Sequence, residues 1–224
     1  MTKEQLKENY EATLKKIREL DKEGRVRLLI ATKTQSVEDI NFLISLGVTL
    51  IGENRVNEVR EKYDTLNKRA SLHLIGSLQK NKVKYICDKV DMIHSVDSLS
   101  LAEEINKRCE KIGKVMDVLV EINSGREEAK GGIIPEDADE FIASLSTLKS
   151  IRVRGLMTMA PRCDTREEYL KYFSLTKEIF DRIFKDEEDA ILSMGMSESY
   201  LYAIEAGANL VRVGSAIFGE RKYI

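Results

Sequence analysis

Arg25-Val-Arg-Leu-Leu-Ile-Ala-Thr-Lys-Thr34 is the stretch from which the fold can be read. Its largely apolar run from Val26 to Ala31 does not alternate, and Gly24 and polar residues bound it. That pattern predicts a strand buried on both faces, as in a parallel sheet covered by helices. Lys33 stands at the carboxyl end of this strand, where parallel α/β folds place their chemistry. On position alone Lys33 reads as a solvated surface charge. Beside a buried wall the same amine can lose its proton and attack a carbonyl.

Working outward, the same beat recurs. Leu6, Tyr10, Leu14 and Ile17 predict an amphipathic helix over 3–21. Further strands are predicted at 48–51, 72–75, 92–96, 116–122, 153–157, 190–193 and 210–213. Between them the pattern predicts helices over 36–46, 54–66, 78–87, 98–113, 135–148, 165–184 and 199–206. Ser36-Val-Glu-Asp39 resembles a capping box, Ser98 reads as a cap, and Pro135 suits a first turn. Strict βα alternation implies a parallel sheet with right-handed crossovers, and eight units imply a closed (β/α)8 TIM barrel. Only residues 215–224 follow the last strand, so the extra amino-terminal helix is expected to cover that position. One domain spanning 1–224 is expected.

The chain has 224 residues, 42% hydrophobic and 33% charged, with a formal net charge of -2. There is no basic block, which argues against nucleic acid and anionic membranes as partners. Its apolar runs are too short for a membrane span, and the charged Met1-Thr-Lys-Glu-Gln start is unlike a signal peptide. Cys87, Cys109 and Cys163 are scattered and odd in number, which suits a reduced cytoplasm and no zinc site. With only His73 and His94, no His-rich metal site is expected. Adjacent His94 and Ser95 would point to opposite faces, so they form no triad.

A barrel selects the residues at its strand ends. Gly214 permits close approach of a ligand, Ser215 offers a hydroxyl, and the amides beyond it favour an anion. Ser197 stands similarly before its helix. Each alone could be an ordinary strand end or cap; two on adjacent final strands point to phosphate. Arg212 lies among apolar neighbours and must have a partner, either an ion pair with Glu205 or Glu53, or a ligand acceptor. A Schiff-base lysine, a phosphate cradle and a fixed cation are the parts needed to hold pyridoxal 5'-phosphate (PLP).

Motifs along nearly the whole chain resemble the pyridoxal phosphate homeostasis protein family, single-domain relatives of the alanine racemase barrel. They are Ala31-Thr-Lys-Thr34, Gly52-Glu-Asn-Arg55, His73-Leu-Ile-Gly76 with Leu78-Gln-x-Asn-Lys82, and Glu127-Glu-Ala-Lys130. Gly155-Leu-Met-Thr-Met159, Leu192-Ser-Met-Gly-Met-Ser197 and Val211-Arg-Val-Gly-Ser-Ala-Ile-Phe-Gly219 complete the set. The resemblance implies that Lys33 carries the internal aldimine. It further implies that Ser197, Gly214 and Ser215 bind the phosphate, that Arg212 faces the pyridine nitrogen, and that Asn54 lies beside the cofactor. Ser199 and the Ser124-Gly-Arg126 loop depart from the family pattern.

The resemblance implies a PLP-binding protein of intracellular PLP homeostasis that supplies apo PLP-dependent enzymes. A barrel with its own complete core is expected to be a monomer, and the scattered cysteines suit the cytoplasm. A cation at the pyridine nitrogen weakens the ring as an electron sink. Racemisation also needs a second proton-transfer group opposite Lys33. None is evident, and the chain ends at Ile224 without room for a second domain. The expectation is therefore a carrier rather than an enzyme. The alternatives are a PLP-dependent amino-acid racemase or other weak PLP enzyme using His73, His94 or Tyr202, and a cofactor-free barrel enzyme acting on a phosphorylated aldehyde or ketone through a Lys33 Schiff base.

Overall fold

The computed structural model describes residues 1–127 and 129–219. Eight parallel strands run in chain order and close on themselves. They are β1 (Arg27–Ala31), β2 (Leu50–Glu53), β3 (Ser71–Leu74), β4 (Met92–Val96), β5 (Met116–Ile122), β6 (Ile151–Thr158), β7 (Ile191–Ser193) and β8 (Leu210–Val213). Closure places Leu29 of β1 beside Arg212 of β8 and Ile30 beside Val213. The helices are α1 (Lys3–Leu20), α2 (Val37–Ser45), α3 (Val56–Lys62), α4 (Leu99–Glu110), α5 (Ala138–Leu145), α6 (Arg166–Ile183), α7 (Tyr200–Glu205) and α8 (Ser215–Phe218).

Alternation along each strand sorts the apolar residues into two cores. Ile30, Ile51, Leu74, Ile93, Val118, Leu156 and Val211 face the helices. Leu29, Ala31, Ile75, Met92, Leu119, Met157, Ile191 and Leu210 form a separate cluster inside the barrel. Each fully buried aliphatic side chain contributes about 1.5–3 kcal/mol, and both faces of the sheet draw on it. The continuous apolar runs of the sequence follow from this two-sided burial.

Helix α1 takes the covering position expected of it. Thr2 and Gln5 form a capping box at its start, and Leu6, Tyr10 and Ile17 face inward. It packs against α7 and α8, and Asn9 Nδ2 donates to the Ile217 carbonyl at 3.0 Å.

Several local expectations are corrected. The helix expected at 78–87 is a 3-10 turn over Lys80–Tyr85. Asn81, Val83 and Tyr85 are weak helix formers, and within that turn only Val83 is buried to reward a longer helix. Ser98 stands at the start of α4 but makes no capping bond through its side chain. Pro135 opens a 3-10 turn, and α5 begins at Ala138. The second strand starts at Leu50 because the Val48 amide still donates to Leu43 at the end of α2. Glu128 of the Glu127–Lys130 motif and residues 220–224 lie outside the described residues.

Among the described residues no helix is long and apolar enough to cross a membrane. Within that same set, no group of three His, Cys, Asp or Glu side chains could hold a metal ion.

Candidate functional site

A cavity of about 450 Å³ lies at the carboxyl ends of the strands, and Lys33, Asn54, Ser197, Arg212, Gly214 and Ser215 all line it. Those six residues come from the ends of β1, β2, β7 and β8, so barrel closure is what brings them together. Ile75, Met159, Tyr169, Phe173 and Phe218 supply apolar wall, and Arg162 and Lys130 add cations.

Lys33 is held by an unusual piece of backbone. Thr34, next in the chain, has φ 66°, a left-handed conformation that costs a β-branched residue energy. Its amide donates to Glu58 Oε2 at 2.6 Å. Glu58 is bridged in turn to Lys62 at 3.0 Å, and Lys62 to the fully buried Glu53 at 2.8 Å. Lys62 also donates to the Thr32 carbonyl, and Thr32 Oγ1 to Glu53 Oε1 at 2.7 Å. Burial pushes the Glu53 carboxyl up, against the opposing pull of Lys62. This network ties together the residues immediately before Lys33 and Asn54. It was invisible in the sequence, although Glu58 and Lys62 stand at helical i,i+4 spacing.

At β8 the guanidinium of Arg212 is buried inside the barrel. NH1 donates to the Ser193 carbonyl at 2.9 Å and to Ser193 Oγ at 2.6 Å; NH2 donates to the Thr158 carbonyl at 2.9 Å. Burial lowers its pKa to about 10, opposed by the charge of Glu121, so it remains a cation at neutral pH. The partners considered from sequence are corrected: Glu205 pairs with Arg166 and Glu53 with Lys62. Polar oxygens rather than a carboxylate hold NH1 and NH2 of Arg212.

Ser197 Oγ accepts from the amides of Gly214, at 3.1 Å, and Ala216, at 3.3 Å. The ends of β7 and β8 are thereby joined at the cavity. A side chain at Gly214 would meet the Ala31 carbonyl at 3.0 Å and its Cβ at 3.2 Å, so glycine keeps this floor low. Asn54 Oδ1 is buried with no hydrogen-bond partner among the described residues. An acceptor left unsatisfied at a cavity wall suits a ligand that brings a donor. Together the amine, the low cradle, the orphaned acceptor and the cation fit PLP.

The two departures from the family pattern are both accounted for structurally. Ser199 is buried and accepts the Met196 amide at 3.2 Å, closing the turn that carries Ser197. Ser124 Oγ lies 3.0 Å from Thr158 Oγ1, beneath the loop in which Arg126 adopts φ 51°.

His94 and Ser95 do face opposite ways: His94 meets His73 and Ser193 inside the barrel, and Ser95 donates to the Gly76 carbonyl. Burial lowers the His73 pKa to about 4 and holds His94 well below the ordinary range. Tyr202 stacks on Tyr169 with ring centroids 5.8 Å apart and lines a second cavity, beside α1. Burial and the Glu168 and Asp164 carboxylates push the Cys163 thiol up, away from reactivity. Tyr169 and Phe173 lie on the buried face of α6 and end in the cavity wall.

Comparison with known proteins gives a consistent picture. The family model for the alanine racemase N-terminal domain matches residues 3–222. A pyridoxal phosphate homeostasis protein of Aquifex aeolicus is 44% identical over 204 residues, covering 90% of each chain. A solved protein of unknown function from Bifidobacterium adolescentis superposes with TM-score 0.91 at 34% identity, over 96% of this chain and 95% of that one. PipY of Synechococcus elongatus, solved with PLP bound, has TM-score 0.80 and 29% identity, over 92% of this chain and 99% of its own.

Proposed function

The chain belongs to the alanine racemase N-terminal domain family, among the pyridoxal phosphate homeostasis proteins, and on that premise we propose that it holds PLP in the Lys33 cavity. The observation that carries the reading is the convergence of Lys33, Asn54, Arg212 and the Ser197–Gly214–Ser215 cradle on one cavity. The PLP-bound relative PipY supports it.

PLP, when bound, supplies an aldehyde carbon that an amine can capture. Lys33 is the amine that would hold it covalently. The Ser197 and Ser215 hydroxyls would receive the phosphate, Gly214 would leave room for its close approach, and Asn54 would flank the ring. Arg212 would face the ring nitrogen and, as a cation, oppose its protonation.

We further propose that the protein stores and hands on PLP to apo-enzymes in the cytoplasm, as a monomer, rather than turning over amino acids. Three observations favour this. Curated relatives carry homeostasis names. Arg212 would weaken the ring as an electron sink. The ring nitrogens of His73 and His94 are committed to bonds within the barrel, and neither ring lines the cavity.

The test is to load the purified chain with PLP, reduce with borohydride and map the modified peptide. The expected result is a pyridoxyl group on Lys33, lost in a folded Lys33→Ala variant. No uptake, or labelling of Lys130 instead, overturns the site. Racemisation of a free amino acid by the loaded protein, abolished by Lys33→Ala, overturns the carrier role.

A further inference from the structure

The barrel interior carries a chain of polar side chains that the cavity does not account for. Arg212 NH1 donates to Ser193 Oγ at 2.6 Å, and Ser193 Oγ lies 3.3 Å from His94 Nδ1. His94 Nε2 lies 2.9 Å from His73 Nδ1, and His73 Nε2 lies 3.1 Å from Ser71 Oγ. Ser71 Oγ donates to Asp91 Oδ2 at 2.8 Å. Asp91 is exposed, at the amino-terminal end of β4.

We infer that Ser193, His94, His73, Ser71 and Asp91 form a one-directional hydrogen-bond relay across the barrel, and that its two histidines are positioning residues for Arg212. The inference rests on the proposed cofactor site, in which Arg212 faces the ring nitrogen.

The direction follows from counting protons. Ser71 has one hydroxyl proton, and the Asp91 carboxylate takes it. His73 Nε2 must therefore donate to Ser71. A neutral imidazole has one N–H, so His73 Nδ1 is an acceptor and His94 Nε2 must supply the proton between the rings. His94 Nδ1 is then an acceptor and takes the hydroxyl proton of Ser193. With its proton given to His94, Ser193 Oγ keeps both lone pairs clear of the ring, and one of them receives NH1. Burial of both rings, which disfavours a second proton on either, agrees with this assignment.

The consequence for Arg212 is geometric. Both NH1 protons are taken by Ser193, through its carbonyl and its hydroxyl, and one NH2 proton by Thr158. Among the described residues this leaves Nε–H and one NH2 proton uncommitted. Were His94 in its other tautomer, Nδ1–H would share the lone pairs of Ser193 Oγ with NH1, and the hydroxyl proton would lose its acceptor on His94. The NH1–Oγ bond would weaken, leaving the Ser193 and Thr158 carbonyls as the firm anchors of the guanidinium. Asp91 at the far face thus fixes where the Ser193 hydroxyl proton points, and with it how freely Oγ receives the cation at the cofactor end.

Two measurements on the full chain test this. Nitrogen-15 NMR of the histidines, without PLP, should find both as neutral Nε2–H tautomers, with the His94 signals moving on PLP loading. PLP release from loaded protein should be about five- to tenfold faster in His94→Leu and Ser193→Ala, the loss of roughly one buried hydrogen bond. The visible absorption band of bound PLP should shift in both. His73→Gln, which still offers one donor and one acceptor, should stay closer to the unmodified protein than to His94→Leu. An Nδ1–H tautomer at His94 overturns the relay, as do unchanged release and absorption in a folded His94→Leu. If His94→Leu does not fold, Ser193→Ala and the tautomers decide. If the unmodified chain takes up no PLP, the cofactor site is wrong, and the tautomers alone judge the relay.

Discussion

Lys62 Nζ lies 2.8 Å from Glu53 Oε1, and the same ammonium donates to the Thr32 carbonyl, so one buried cation joins the residues preceding Asn54 and Lys33. Removing it strands a fully buried carboxyl. Lys62→Met should destabilise the fold by about 3–5 kcal/mol, the usual result of breaking a buried pair from one side. The double variant Lys62→Met/Glu53→Leu should recover much of that loss. Urea unfolding of the two variants checks both statements, and a loss below about 1 kcal/mol in the single variant would count against the pair as a structural tie.

Gly76 is a steric hinge for the site. A Cβ there would lie 2.2 Å from the Asn54 carbonyl oxygen and 2.8 Å from its Cα, both backbone atoms with no room to yield. Gly76→Ala should therefore move the end of β2, lower stability by about 1–3 kcal/mol and weaken PLP retention. Retention equal to the unmodified chain would show that Asn54 does not bear on the ligand.

How much of this could be read beforehand depends on the kind of interaction. The strand at 26–31 was legible because burial on both faces writes itself as an unbroken apolar run. The placement of Lys33, Arg212 and Gly214 at one mouth followed from counting strands. What could not be read were contacts set by register across the barrel. His73 and His94 stand on neighbouring strands, and a shift in the β4–β5 pairing between Ile93 and Val96 is a backbone detail that no side-chain pattern announces. Ser193 meets His94 across the lumen from β7, and Lys62 reaches back from α3. The 3-10 turn at Lys80–Tyr85 was missed because Val83, Ile86 and Cys87 recur at i, i+3 and i+4, a spacing that also fits a helix.

Acid should weaken the fold through His73. Its pKa falls from 6.5 to about 4 on burial, so the folded state refuses a proton that the unfolded chain accepts. Stability from this group is complete above 6.5 and is lost as pH falls toward about 4. The loss should reach about 2 kcal/mol by roughly pH 5. Chemical denaturation at about pH 7.5 and about pH 5 measures it by comparison: His94 and Glu121 act in both chains, and His73→Gln should shift the difference between the two conditions by about 2 kcal/mol relative to the unmodified chain. An unchanged difference in that variant would assign the effect elsewhere.

Glu121 should act in the opposite sense. Burial, reinforced by Asp97, raises its carboxyl to about 7 despite Arg212. Its contribution is present below the unfolded value of 4.5 and declines as pH rises through about 7. Glu121→Gln removes that decline. The variant should match the unmodified chain near the acid end and exceed it by on the order of 3 kcal/mol in mild base. Parallel stability curves across that range would contradict a buried, proton-holding carboxyl.

The pairing of β1 with β8 carries a consequence for how the protein comes into being. Lys33 follows the barrel's first strand, whereas Arg212 and Gly214 belong to its last, and Leu29 sits beside Arg212 only after closure. A contact between segments so far apart in the chain forms late, after the loop-closure entropy of nearly the whole barrel has been met. No partly folded chain can present the amine and the cradle together. Occupancy of the site is therefore a readout of completed folding, and a ligand bridging that seam opposes its opening by mass action.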